Sequence, residues 1–213
     1  MWAELLSTET KLPHMHTEFL RTALPPLDIL PPLDILPPQI ILPQNLQVES
    51  QAPRMWTKKQ RIRLAVENKV LASKASQFGF HKPTLPTETY VAGWIKTSDG
   101  HKYELKVLLG PKFPDNMPHL LLTSPDKAAQ YGGGLIVNEG ISHQFHSRGK
   151  GPGGFLEICH CDESSWDPSR NILSVLIKGT IWCEAHCRHL KSGISIAKYC
   201  DELKDQVPDL NNY

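Results

Sequence analysis

The sequence predicts an α+β domain: an N-terminal helix, an antiparallel meander of about four strands, and C-terminal helices. Three observations carry that expectation. Residues 55–77 are rich in helix formers and contain neither glycine nor proline. Residues 90–123 alternate apolar and polar side chains between turn signals. From Ile172 to Leu190, apolar or small residues return at steps of four and three, the period of a core-facing helix.

Before these elements the chain has a different texture. Residues 25–30 read Pro-Pro-Leu-Asp-Ile-Leu, residues 31–36 repeat them, and residues 37–42 give a third, degenerate copy. A proline pair every six residues sets φ and removes backbone donors, which excludes helix interior and central strand. The expectation is a Pro-rich, largely disordered extension over 1–52, with an extended tether over about 22–50, and a folded domain over 53–213. The repeat reads as a duplicated linker, or as apolar docking segments between prolines.

Within the domain, helix 55–77 presents Ile62, Val66, Lys69/Val70 and Ser73 along one stripe. His81 to Thr87 carries two prolines and reads as loop. Tyr90–Thr97 is rich in strand formers, Ser98-Asp99-Gly100 signals a hairpin, and His101–Leu109 sets Tyr103, Leu105, Val107 and Leu109 on one face. His119–Thr123 adds a short apolar strand. Residues 131–154, glycine-rich and poor in apolar side chains, read as a long functional loop. Phe155–Cys159 is a short apolar run. Asp167 suits an N-cap and Pro168 a first helical position. The next helix carries Ile172, Leu176, Gly179, Cys183, His186 and Leu190 inward, with Gly179 admitting a close neighbour. Ser192-Gly193 stops it, and Ile194–Leu203 closes the fold.

Composition narrows the function. The chain has 213 residues with 23 Lys+Arg against 22 Asp+Glu, a net charge of +1, which lacks the basic footprint of a non-specific nucleic-acid binder. No apolar run approaches the roughly 20 residues that span a bilayer. Neither a nucleic-acid nor a membrane partner is expected. The start shows no secretory signal, and five cysteines, an odd number, fit the reducing cytoplasm.

Residues 143–189 gather Cys159, Cys161, Cys183 and Cys187 with His143, His146, His160, His186 and His189. Three readings compete. A zinc or iron–sulfur site needs converging pairs, but Cys159-x-Cys161 is tighter than the usual knuckle, and Cys183-x2-His186 lies within a helix. As packing residues, Cys183, Cys187 and Cys200 behave as small hydrophobes, with His186 and His189 on a helix surface or at a cap. A reactive thiol is the third reading. Cys159 closes a strand after a glycine-rich segment, where a thiol stays accessible while strand backbone holds it.

In order, residues 90–190 resemble the ubiquitin-conjugating enzyme (UBC-like) fold family, most closely its divergent bacterial ubiquitin-conjugating-like branch. The matching pieces are Gly93-Trp94-Ile95 with Tyr103-Glu104-Leu105-Lys106-Val107, then Phe113-Pro114 with Met117-Pro118. Ile158-Cys159, Trp166-Asp167-Pro168 and the helix from Val175 to Gly193 follow. The match covers about half the chain and rests on the ordered set.

The resemblance implies a transferase without cofactor or metal. An activating-enzyme-like protein passes the C-terminal carboxyl of a ubiquitin-like protein to Cys159 as a thioester, and an amine of a target protein attacks it. Cys161 is the fallback nucleophile. A non-catalytic variant of the same fold, binding a ubiquitin-like protein without accepting it, is the alternative. The family's His-Pro-Asn triplet is missing; Ser142-His143-Gln144-Phe145-His146 stands in its place. His146, less so His143, reads either as the donor to the oxyanion or the amine, or, like His143, as a solvated loop residue. Asp162, Glu163 and Asp167 stand close enough in sequence to assist an attacking lysine, and equally suit helix caps. Trp166 reads as a packing anchor.

Overall fold

The computed structural model describes residues 55–204. The 1–52 extension, its repeats and the 22–50 tether lie outside the described residues. Helix α1 (Lys58–Lys74) opens on a reciprocal cap, Thr57 Oγ1 accepting from Gln60 N and Gln60 Oε1 from Thr57 N. Gln60 Nε2 also donates to Phe113 O at 2.7 Å, tying the helix start to a distant connection.

The inward face of α1 differs from the expected stripe. Ile62 and Val66 are 58% and 54% exposed, whereas Leu64, Glu67 and Leu71 are buried. Glu67 is the cause. Its carboxylate accepts from Arg63 Nε at 2.6 Å and from the backbone N–H of Ile172 at 2.9 Å. A charge this deep is tolerated because it is paired and sits at the positive end of a second helix. That arrangement turns α1 away from its most apolar letters.

Strand β1 (Phe78–His81) follows directly and was not expected. Strands β2 (Tyr90–Lys96), β3 (Lys102–Leu108) and β4 (His119–Ser124) form the expected meander. β2 and β3 pair from Tyr90↔Leu108 to Lys96↔Lys102 around Ser98-Asp99-Gly100. Tyr103, Leu105, Val107 and Leu109 are buried, as their alternation predicts. Gly93 lets β1 close: a Cβ there would stand 2.3 Å from Gln77 O.

The segment 131–154 is not a long loop. It contributes β5 (Ile141–Ser142) and β6 (Ser147–Lys150), and β7 (Leu156–Ile158) completes a seven-stranded antiparallel sheet ordered β1-β2-β3-β4-β7-β6-β5. About four strands was an undercount. β6 reads Ser-Arg-Gly-Lys, with no apolar alternation, because its buried positions are the small Ser147 and Gly149 and its register rests on backbone pairing and a bulge. Ser147 pairs with Ile158 and Gly149 with Glu157, so Arg148 is the extra residue on β6. Ser147 Oγ accepts from Gly149 N at 2.9 Å and closes the bulge.

Helix α2 (Ile172–Ser192) starts later than Asp167-Pro168 suggests. Asn171 is its N-cap, accepting from Ser174 N at 2.8 Å. Asp167 instead accepts from Ser169 N and shapes the preceding turn. The intervening carbonyls of Pro168 and Arg170 receive Arg63. Ile172, Leu176, Gly179, Cys183 and His186 face inward as the period requires. At Gly179 a Cβ would lie 2.7 Å from Leu105 and 3.2 Å from Leu120, so α2 rests directly on β3 and β4. Gly193, at φ 74°, ends the helix in the left-handed region, and α3 (Ile196–Lys204) folds back.

His186 and His189 are buried, not on a surface. His186 Nε2 donates to Ala129 O and its Nδ1 accepts from Tyr103 Oη. His189 Nδ1 donates to Ile194 O while Nε2 accepts from Tyr131 N. Both rings are satisfied and reach loops that α2 alone does not touch. No described helix is long and apolar enough to cross a membrane.

Candidate functional site

β6 and β7 lie side by side, so their ends bring two distant pieces of sequence together. β7 ends at Ile158, and Cys159 N donates to His146 O at 2.8 Å. His146 closes the β5–β6 hairpin at φ 46°, a left-handed conformation uncommon without glycine. The hairpin tip is held from below. Trp182 Nε1 donates to Phe145 O at 2.8 Å, and Ala197 N donates to Gln144 O at 3.1 Å. Within the segment expected as a long loop, the tip is thus pinned by α2 and α3.

Cys159 is half-buried and borders two adjoining hollows. The larger, about 300 Å3, is bounded by Cys159, Cys161, His146, Lys178 and the indole of Trp182. The smaller, about 190 Å3, lies against Arg148 and Ser147. His143, His146 and Asp162 border both. Burial pushes the His146 imidazole below its ordinary value, with the nearby Lys204 ammonium adding to the effect.

The three residues after β7 are gripped from two sides. Lys178, from α2, donates to His160 O at 2.8 Å. Arg148, from the β6 bulge, donates through Nη2 to Cys161 O at 2.8 Å. The Cys159 thiol points to that same Cys161 oxygen, at 3.8 Å. Burial pulls the Lys178 ammonium below its usual range. Neither cation was singled out by sequence; a lone lysine amid Ile177 and Gly179, and an arginine in a glycine-rich run, were the only signals.

The other expected residues sort themselves. His160 is buried, donates Nε2–H to Pro118 O at 2.9 Å, and is pushed down to about 4 by burial. Trp166 is an anchor as expected, its Nε1 on Pro114 O and its ring edge-on to His160. Asp167 is occupied by its turn. Burial raises the thiols of Cys161, Cys183 and Cys200, the last to about 12. Cys187 lies between the hydroxyls of Tyr103 and Thr97. Among the described residues no three His, Cys, Asp or Glu side chains converge as a metal cage.

Chemically, the arrangement offers two part-exposed thiols, Cys159 and Cys161, on fixed backbone, with cations on both sides of their loop and two histidines at the rim. Compared with protein-family models, curated proteins and solved structures, the chain matches none.

Proposed function

We propose that this protein is a ubiquitin-conjugating-like acyl carrier of the divergent bacterial branch, with Cys159 as its thioester nucleophile. The observation that carries the reading is the place of Cys159: half-buried at a strand end, on the border of two hollows, with His146 beside it. Cys161 is the weaker nucleophile, because burial holds its thiol protonated and it faces Met117 Sδ at 3.3 Å. The chain order also supports the reading: helix, four-strand meander, thiol segment, tryptophan anchor, long helix.

In the first step the Cys159 sulfur attacks the thioester of an activating-enzyme-like protein. A C–S bond forms to Cys159, and the enzyme's thiol leaves with the proton. In the second step a target amine attacks the Cys159 thioester, an amide forms, and Cys159 departs as thiolate. His146, whose imidazole burial biases toward the neutral form, takes the amine's proton in this reading.

The test is incubation with an activating enzyme, ATP and a ubiquitin-like protein from the same genome, read by non-reducing gel and intact mass. The expected result is an adduct that thiols release, retained in Cys161→Ala and lost in Cys159→Ala. An adduct unaffected by Cys159→Ala overturns the assignment, and no adduct on any cysteine favours a non-catalytic binding module.

A further inference from the structure

Among the described residues the Arg148 guanidinium makes a single hydrogen bond. Of five N–H donors, its guanidinium places one on Cys161 O. Its Nε is enclosed and has no acceptor, the only buried side-chain nitrogen or oxygen in that condition among the described residues. No carboxylate there forms an ion pair with it. A buried, unmatched donor on a cation costs free energy at rest, so its persistence calls for an explanation in terms of a missing oxygen.

Its position says where that oxygen belongs. Arg148 is the bulged residue of β6, and bulges re-aim a side chain that regular pairing would send elsewhere. The guanidinium and the Cys159 thiol meet over one atom, Cys161 O, at 2.8 and 3.8 Å. Both also border the smaller hollow. A carbonyl carbon bonded to Cys159 sulfur would carry its oxygen within reach of the fork, where negative charge develops as the tetrahedral intermediate forms. A delocalised cation in a partly water-excluded hollow is suited to that charge.

We propose that Arg148 is the oxyanion-binding catalytic residue for acyl transfer at Cys159, filling the role that the missing asparagine would play. This rests on Cys159 being the acyl-accepting thiol. When sulfur attacks a carbonyl, the C–S bond forms and the C=O pair moves to oxygen. Arg148 holds that oxygen until the pair returns and the leaving group departs.

The experiment compares two reactions of Cys159 in the full chain, each mapped by mass. Acetylation by p-nitrophenyl acetate passes through an oxyanion and releases p-nitrophenolate. Alkylation by iodoacetamide is a displacement at a saturated carbon and does not. In Arg148→Gln we expect acetylation of Cys159 to slow by about 10- to 100-fold, with alkylation within twofold of wild type and partial recovery in Arg148→Lys. Equal slowing of both reactions, or of neither, overturns the proposal. Should Arg148→Gln not fold, the ratio of the two rates in Arg148→Lys against wild type decides by the same criterion. A wild-type protein that is acetylated at Cys159 yet never loads a ubiquitin-like protein would remove the carrier reading, while the rate ratio still judges Arg148.

Discussion

The backbone N–H of Cys159 donates to the carbonyl of His146, 2.8 Å away, although thirteen positions of chain separate the two residues. This bond gives the thiol its setting, because His146 reaches it only by adopting φ 46°. The conformation and the imidazole are therefore separable. His146→Asn, which accepts left-handed backbone, is expected to keep wild-type stability in urea. His146→Val is expected to lose about 1–3 kcal/mol. If both variants unfold at the wild-type midpoint, the backbone there is not under constraint.

Glu67 joins α1 to the start of α2 through one carboxylate. Glu67→Ala leaves Arg63 Nε and the Ile172 N–H without their acceptor while the Arg63 fork keeps its carbonyls, and a loss of about 3 kcal/mol in urea unfolding is expected. Glu67→Gln keeps one acceptor oxygen and should lose less. A Glu67→Ala variant as stable as wild type would show that the Asn171 cap suffices for α2 and that the Ile172 N–H finds another partner.

Gly179 sets the distance between α2 and the sheet. Gly179→Ala gains helix propensity, but its Cβ meets Leu105 at 2.7 Å in a fully packed core. Overpacking of this kind costs about 1–3 kcal/mol, which corresponds to a fall of roughly 2–4 °C in Tm per kcal/mol. A rise in Tm would mean that Leu105 and Leu120 shift freely.

Acid stability should be governed by buried histidines. The unfolded chain protonates His160 near its ordinary 6.5, while the folded chain resists until about 4. In that interval the unfolded state binds more protons, so the stability contributed by neutral His160 is complete above 6.5 and lost as pH falls towards 4. His146 and His186, also lowered by burial, add in the same direction. His119 works oppositely: Glu157, 3.0 Å away, raises it, so its contribution holds at low pH and fades as pH rises through that raised value. His160→Gln should flatten the acid limb of the urea midpoint against pH, and an unchanged limb would assign it to other groups.

The meander and the α2 stripe were legible because they follow hydrophobic periodicity: Tyr103, Leu105 and Val107 alternate, and Ile172 to His186 recur at helical steps. The misread elements are those whose placement rests on polar contacts between distant segments. Ile62 and Val66 look like a core face until Glu67 claims the inside. Asp167-Pro168 looks like a helix start, yet Asn171 supplies the cap. β5 and β6 have almost no apolar signal, since a bulge and a serine set their register. Cys159 and His146 could be singled out from context. Arg148 and Lys178 could not, because their importance lies in the carbonyls they grip.

Trp182 forms one wall of the larger hollow, stacks on His186 at 5.1 Å and donates to the hairpin carrying His146. Trp182 is one of five tryptophans, so its share of the emission is the difference between wild type and Trp182→Phe, and that share is expected to respond to a ligand entering beside Cys159. The stacked imidazole, kept neutral by burial, quenches only weakly while it stays so. A ligand in the hollow would thus report itself, without a label, in the part of the fluorescence that Trp182→Phe removes.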